Sequence, residues 1–382
     1  MKIIHLVLGK ANPERMNGVN KVAHNLVTTQ TNLGYDVTLW GITENLVHNY
    51  PPRNYKTVLF QAIDSRLKVH HSIEEAIKAL PKDTVFHIHG SFIKEFYVIS
   101  KLLKKANIPY VYTSHGSLGP AAMQQNALVK KYYFIFLERM ILRNAKAVHL
   151  LGNTEVKNVK RLMPKASNTI KIPNGQNLSE IPHIQVDKTN RIMPIFGFLG
   201  RLDKNHKGLD LLLDGFAIYI KNGGTGTIEF VGNGPDMDFL KSKGETLGIA
   251  DKLIFHGAKY GDEKFDYLAH FDVFLHTSRM EGFPTAVLEA AAMSLPCLCS
   301  EETNANDYLR QWNAGYPYKE NTPKEIARQL QLAEADFYNK TLQAKGQNAR
   351  KMIETDFTWE KITRALIEVY EVDPELLSNL PI

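Results

Sequence analysis

Short runs of continuously apolar residues alternate along the chain with longer stretches whose apolar positions recur at helical spacing. The apolar runs cover residues 2–9, 36–42, 84–89, 110–114, 147–151 and 170–173, then 193–199, 227–231, 252–256, 273–277 and 296–300. Lacking in–out alternation, they fit parallel strands covered on both faces. Helical patterns such as 21–33, 207–221 and 283–294 lie between them. This β–α alternation predicts doubly wound parallel sheets. It lapses over 174–193, a polar stretch containing Pro182, and then restarts. Two Rossmann-like α/β domains are therefore expected, residues 1–175 and 194–356, joined by a linker at 176–193. Residues 357–382 hold a last helix, with Ile362, Leu366, Val369 and Tyr370 at helical spacing. A length of 382 residues suits two domains.

No stretch approaches the ~20 apolar residues of a membrane span. The apolar start is too short for a signal peptide and runs into a polar segment, Asn12 to Asn17, so it reads as a first buried strand. The two cysteines, Cys297 and Cys299, stand two apart in an apolar run, where core packing is expected rather than a disulfide or a metal site. A cytoplasmic protein is expected. The net charge of +6 conceals an asymmetry. Residues 1–175 carry 24 Lys+Arg against 10 Asp+Glu, and the remainder is acidic. A basic half points to an anionic partner. Nothing resembles a nucleic-acid-binding motif, which leaves an anionic membrane surface or a phosphorylated ligand.

In open α/β sheets, ligands bind beyond the carboxyl ends of the strands, and with two such domains the cleft between them is the expected site. After the strand at 193–199 comes Gly200-Arg201-Leu202, then Lys207-Gly208. Two cations on a loop entering a helix suit a diphosphate. After 227–231 comes Gly232-Asn233-Gly234-Pro235-Asp236-Met237-Asp238. Met237 stands where a dinucleotide fingerprint needs glycine, and Asp236 and Asp238 read as helix-start acids rather than metal ligands. After 273–277, Glu281 lies on a loop, Gly282-Phe283-Pro284-Thr285 opens a helix, and Glu289 falls within it. Carboxylates there suit vicinal hydroxyls of a sugar or ribose. In the first half, Asn17-Gly18 precedes a helix, and strand ends supply His87, His89 and Ser114-His115-Gly116.

Together these segments resemble the family-4 glycosyltransferases, retaining enzymes of the GT-B fold. Glu281 through Glu289 matches the family's Glu-x7-Glu signature. Gly200-Arg201-Leu202 with Lys207-Gly208 is similar to its diphosphate loop, Asn174-Gly175 to its inter-domain turn, and residues 230–235 to its Gly-x-Gly-Pro turn. The Trp359 helix resembles the helix that crosses back onto the first domain. The resemblance implies two domains facing across a cleft and a UDP- or GDP-linked sugar as donor, with neither metal nor cofactor. Arg201 and Lys207 would hold the diphosphate, Glu281 the sugar, Glu289 the ribose, and the Gly282–Pro284 backbone would approach the sugar. His115 would contact the sugar near the reacting centre, and Gly18 would lie near phosphate and acceptor. The implied acceptor is a cell-envelope glycan or lipid-linked molecule. The basic first half, with Lys130, Lys131, Arg139 and Arg143, would face an anionic membrane, and the run 132–137 is either a docking element or an ordinary buried helix.

Two departures stand out. Asn17 occupies a place where the family commonly has glycine, and residues 301–307 replace a small glycine-rich segment. Two other readings stay open: a sugar-nucleotide epimerase on the same fold, and a non-catalytic nucleotide-sugar-binding protein.

Overall fold

The computed structural model describes residues 1–12, 18–47, 50–65, 67–124, 126–373 and 376–377. Asn17 lies outside them. The chain divides into unit 1, Met1–Gly175 with Trp359–Ile382, and unit 2, Gln176–Thr358.

Unit 1 is built on seven strands: β1 (Lys2–Leu8), β2 (Asp36–Thr43), β3 (Lys56–Gln61), β4 (Thr84–His89), β5 (Tyr110–Thr113), β6 (Ala147–Leu150) and β7 (Thr169–Lys171). Their order is β3-β2-β1-β4-β5-β6-β7, all parallel. One face packs Leu6, Phe86, Ile88, Tyr110 and Tyr112 under the helix Lys94–Lys105 and its neighbours. The other packs Ile3, Val7, Val85, Val111 and Ala147 under the helices Gly18–Asn32 and Trp359–Glu371. The last helix thus completes unit 1, burying Trp359, Ile362, Leu366, Val369 and Tyr370.

Unit 2 has six strands: β8 (Ile195–Leu199), β9 (Thr227–Val231), β10 (Leu253–Phe255), β11 (Val273–His276), β12 (Cys297–Ser300) and β13 (Gly315–Tyr318). They run parallel in the order β10-β9-β8-β11-β12-β13. Cys297 and Cys299 are free thiols in its core. The chain order reverses between β1 and β4 in one sheet and between β8 and β11 in the other. These are the switch points where a crevice opens at the strand ends.

Three expectations need correction. Residues 207–221 do not form one helix: a short helix Lys204–Lys207 ends at Gly208, and a second runs Leu209–Lys221. Gly208 has φ +65°, and a Cβ there would stand 2.2 Å from the Thr277 carbonyl oxygen, so only glycine fits where the two loops meet. Asp236 stands at the start of the helix Met237–Thr246 without capping it. Its carboxylate instead accepts from the Lys204 amide at 2.8 Å and pairs with the Lys204 ammonium at 3.3 Å. β3 and β13 were not anticipated. Both are sheet edges, and β13 carries Pro317, which an edge strand tolerates because its missing N–H costs no ladder bond.

Candidate functional site

At the switch point of unit 2, the loop after β8 and the loop after β11 are tied together. Thr277 Oγ1 donates to the Lys207 carbonyl at 3.1 Å, and the Arg279 amide donates to the His206 carbonyl at 2.9 Å. The Arg279 guanidinium grips the Asp210 carboxylate bidentately at 2.6 and 2.8 Å, the strong fork geometry. This bracing fixes two side chains against each other. Lys207 Nζ lies 2.5 Å from Glu281 Oε1, and both are largely buried. His276 Nε2 and Ser278 Oγ reach the same oxygen at 3.1 and 2.9 Å. Oε2 of Glu281 has no partner among the described residues.

Burial pushes the Glu281 carboxyl up, but Lys207 and the His276 hydrogen bond outweigh it and hold the group well below the usual carboxylate range. His276 is held down by burial and by Lys207. A neutral ring donating from Nε2 fits its Nδ1, which is buried without a partner. The centre is therefore an ionised carboxylate with one oxygen saturated and the other open.

The remaining expected residues of unit 2 are more scattered. Arg201 is exposed and pairs with Asp203 at 2.7 Å. Glu289 is buried within the helix Thr285–Ala292, its carboxylate 2.8 Å from Lys264 Nζ. The Phe283 ring packs into the core beside Phe357, ring centroids 5.3 Å apart, which leaves Gly282–Pro284 to act through backbone. The helix that Thr285 opens has Pro284 at its N-cap, whose side chain makes no capping bond. The divergent segment 301–307 also supports this loop, since Asn304, at φ +62°, donates to the Gly282 carbonyl at 2.5 Å. Lys264, His276, Ser278 and Asn304 were not singled out by sequence. Ser278 adjoins a recognisable motif, whereas His276 is one polar residue in an apolar run.

In unit 1, Gly18 is the exposed first residue of the helix Gly18–Asn32. His115 follows β5 at φ +51°, an uncommon conformation for a side-chain-bearing residue. The buried Glu155 holds this turn, accepting from Ser114 Oγ at 3.1 Å, the Leu151 amide at 2.5 Å and the Gly116 amide. Behind His115 lie further rings: its Nε2 is 3.1 Å from His89 Nδ1, and His89 Nε2 is 2.8 Å from His5 Nδ1. Among the described residues, His5, His87 and His89 are the group whose ligand atoms, within 4.8 Å of one another, could share a metal ion. Their nitrogens are engaged with one another and with Gln30, Tyr370 and Thr113, so an ion would displace those bonds. Burial keeps these rings neutral, His5 at about 4 and His115 at about 3.

Two family models match the chain, "Glycosyl transferases group 1" over residues 183–352 and "Glycosyltransferase Family 4" over residues 16–180. A protein of Haemophilus influenzae described as an uncharacterized glycosyltransferase is 23% identical over 354 residues, covering 90% of this chain and 94% of its own. The capsular polysaccharide biosynthesis glycosyltransferase CapM of Staphylococcus aureus is 23% identical over 177 residues, 46% of this chain and 45% of its own. Among solved structures, Anabaena HepE in complex with UDP superposes over 100% of both chains with a TM-score of 0.72 at 16% identity.

Proposed function

Since the chain belongs to the group 1 glycosyl transferases and is a glycosyltransferase of the GT-B fold, we propose that it moves a sugar from a UDP- or GDP-linked donor to a cell-envelope glycan or lipid-linked acceptor. In this reading configuration is retained and no metal is needed. The observation that carries it is the Glu281 carboxylate, ionised, oriented by three donors on Oε1 and open at Oε2. Such a group accepts hydrogen bonds from a sugar hydroxyl without having to reorganise. The name of CapM, a capsular polysaccharide glycosyltransferase, supports the acceptor class.

Each residue then has a role. Lys207, held by one bond to Glu281, turns its remaining ammonium protons to the diphosphate, and Arg201 adds a second charge. Glu289 receives the ribose hydroxyls while Lys264 balances its charge. Gly282, Phe283 and Thr285 bring backbone N–H groups to the sugar and phosphate, and Pro284, which has none, sets the turn between them. His115 meets the donor sugar, and Gly18 leaves room for phosphate or acceptor. As the bond between the anomeric carbon and the phosphate oxygen breaks, the acceptor oxygen bonds to that carbon from the same face. Its proton passes to the leaving phosphate, whose growing charge the two cations stabilise. A panel of nucleotide sugars, screened for thermal stabilisation and then for transfer, tests this reading. Interconversion of sugars without net release of nucleoside diphosphate would instead indicate an epimerase, and tight donor binding without turnover a binding protein.

We also propose that unit 1 docks on an anionic membrane surface from the cytoplasmic side. The helix Ala127–Tyr133 and the turns after it leave Leu128 72%, Tyr132 60% and Phe136 64% exposed. Lys131, Arg139 and Arg143 are exposed beside them. Large apolar side chains facing water among cations fit a lipid interface better than a buried helix.

A further inference from the structure

The rings behind His115 belong to one continuous hydrogen-bonded line, and its direction is set at the far end. The register places His5 beside His87 and His89 beside Thr113, with Thr113 beside His149, so these side chains crowd one face of the sheet. The line begins at Ile172, whose backbone carbonyl can only accept. His149 Nε2 is 2.7 Å from it and must carry the proton, leaving Nδ1 bare. Thr113 Oγ1 therefore donates to His149 Nδ1 at 2.8 Å and accepts from His87 Nε2 at 2.6 Å. His87 Nδ1 is then bare and accepts from the Tyr370 hydroxyl at 2.6 Å. Tyr370 in turn accepts from Gln30 Nε2 over the longest link, 3.5 Å. That turns Gln30 Oε1 toward His5 Nε2, which donates at 2.8 Å. The remaining links follow: His89 Nε2 donates to His5 Nδ1, and His115 Nε2 donates to His89 Nδ1. Reversing any link would set two lone pairs or two protons face to face, or put a bare nitrogen against the Ile172 carbonyl.

We infer that the Ile172 carbonyl, acting through this line of side chains, fixes His115 as its Nε2–H tautomer, so that it offers a bare Nδ1 to its ligand and selects a hydroxyl donor over an anion. His115 Nδ1 has no partner among the described residues, and the residue as a whole is partly exposed. Burial holds every ring of the line below the usual imidazole range, so none supplies a cation at neutral pH. A neutral acceptor pairs with a sugar hydroxyl and repels phosphate oxygens. The selectivity rests on the reading in which His115 meets the donor sugar. Thr113, Tyr370 and Gln30 act through His115 and are positioning residues.

Ring-nitrogen NMR of the full chain labelled with ¹⁵N-histidine at pH 7.5 tests it. The wild type should show Nε2–H rings at His5, His87, His89, His115 and His149. Thr113→Val and Tyr370→Phe cut the line at two places, and each should give His115 a second, Nδ1–H population, while Thr113→Ser restores a single one. Hydrolysis of UDP-glucose and GDP-mannose should fall about tenfold in kcat in the two cut variants. A wild-type His115 protonated at Nδ1, or one unchanged in both cut variants, overturns the relay. If the spectra behave as expected but His115→Ala turns over the accepted donor as the wild type does, the relay stands and the placement of His115 at the sugar fails.

Discussion

Lys207 and Glu281 are 74 positions apart, yet the ammonium nitrogen lies 2.5 Å from the carboxylate oxygen, because each sits on the segment that follows one of two neighbouring strands, β8 and β11. The pair fixes what each partner can do. The lysine orients and ionises the glutamate, and the glutamate stops the lysine from wandering on its long stem. Lys207→Ala should therefore lower turnover on the order of 10²–10³-fold, and Glu281→Gln should also impair it. The double variant should lose far less than the product of the two single losses, because the residues act as a unit. Steady-state kinetics on the accepted donor would show this, and near-normal activity of Lys207→Ala would remove Lys207 from the diphosphate site.

The meeting of the two loops depends on Gly208. With φ +65° and a backbone carbonyl where a Cβ would go, Gly208→Ala should destabilise unit 2 by about 1–3 kcal/mol. It should also disturb Lys207 beside it. Denaturant unfolding followed at Trp312 measures the first effect and donor binding the second.

Much of this arrangement is legible in the sequence, and the exceptions share a cause. Continuous apolar runs mark eleven strands because both faces of each sheet are covered. The edges β3 and β13 escape because an edge strand needs neither a full apolar run nor freedom from proline. The loop cations and Glu281 stand in short motifs with their own glycines and proline. His276 and Glu155 do not, because each lies in an element that periodicity assigns to packing. Tyr370 reads as one more apolar position of the last helix, and only the fold brings its hydroxyl to His87, 283 residues earlier. The split at Gly208 depends on a Thr277 carbonyl that local sequence cannot supply.

Glu138 gives unit 1 a pH dependence of defined sign. Its carboxyl is buried, accepts from the Phe92 amide at 3.2 Å and from the Tyr112 hydroxyl, and is pushed by burial from 4.5 to about 7. The folded state thus holds a proton that the unfolded chain gives up at lower pH. This contribution is full below pH 4.5 and is lost as pH rises through 7, a change of about 3 kcal/mol. Glu138→Gln should remove it, so the variant gains stability over the wild type at pH 8 but little at pH 4.5. Thermal melts at the two values measure the difference, and equal gains at both would refute the assignment.

The buried histidines act in the opposite direction. Their folded values, about 4 for His5 and His149 and about 3 for His115, lie below the unfolded 6.5. Their stabilising contribution is full above pH 6.5 and is lost as pH falls toward 4 and 3. Unit 1 should therefore loosen in acid before unit 2. Single-tryptophan variants retaining Trp40 or Trp359 should change fluorescence at higher pH than one retaining Trp312. The reverse order would rule out the histidines as the acid-labile element.

Membrane docking makes a separable prediction. At low salt the protein should sediment with vesicles containing phosphatidylglycerol and not with purely zwitterionic ones. Phe136→Ser with Leu128→Ser should weaken sedimentation on the order of tenfold and leave turnover of a soluble acceptor analogue unchanged. Equal sedimentation with both kinds of vesicle would dismiss the docking surface.

Unit 1 is interrupted by the whole of unit 2 and closed by the helix Trp359–Glu371. As the chain leaves the ribosome, the unit begun first is therefore finished last. Until that helix arrives, part of the apolar face around Val22, Leu26 and Ile170 lacks its cover, and His87 waits for its tyrosine. Unit 2, one uninterrupted segment, can mature in the meantime. A premature stop shortly before residue 359 would thus spare the Lys207–Glu281 centre and leave the nascent first unit dependent on chaperones, so the codons for the helix Trp359–Glu371 decide whether the unit begun first can close.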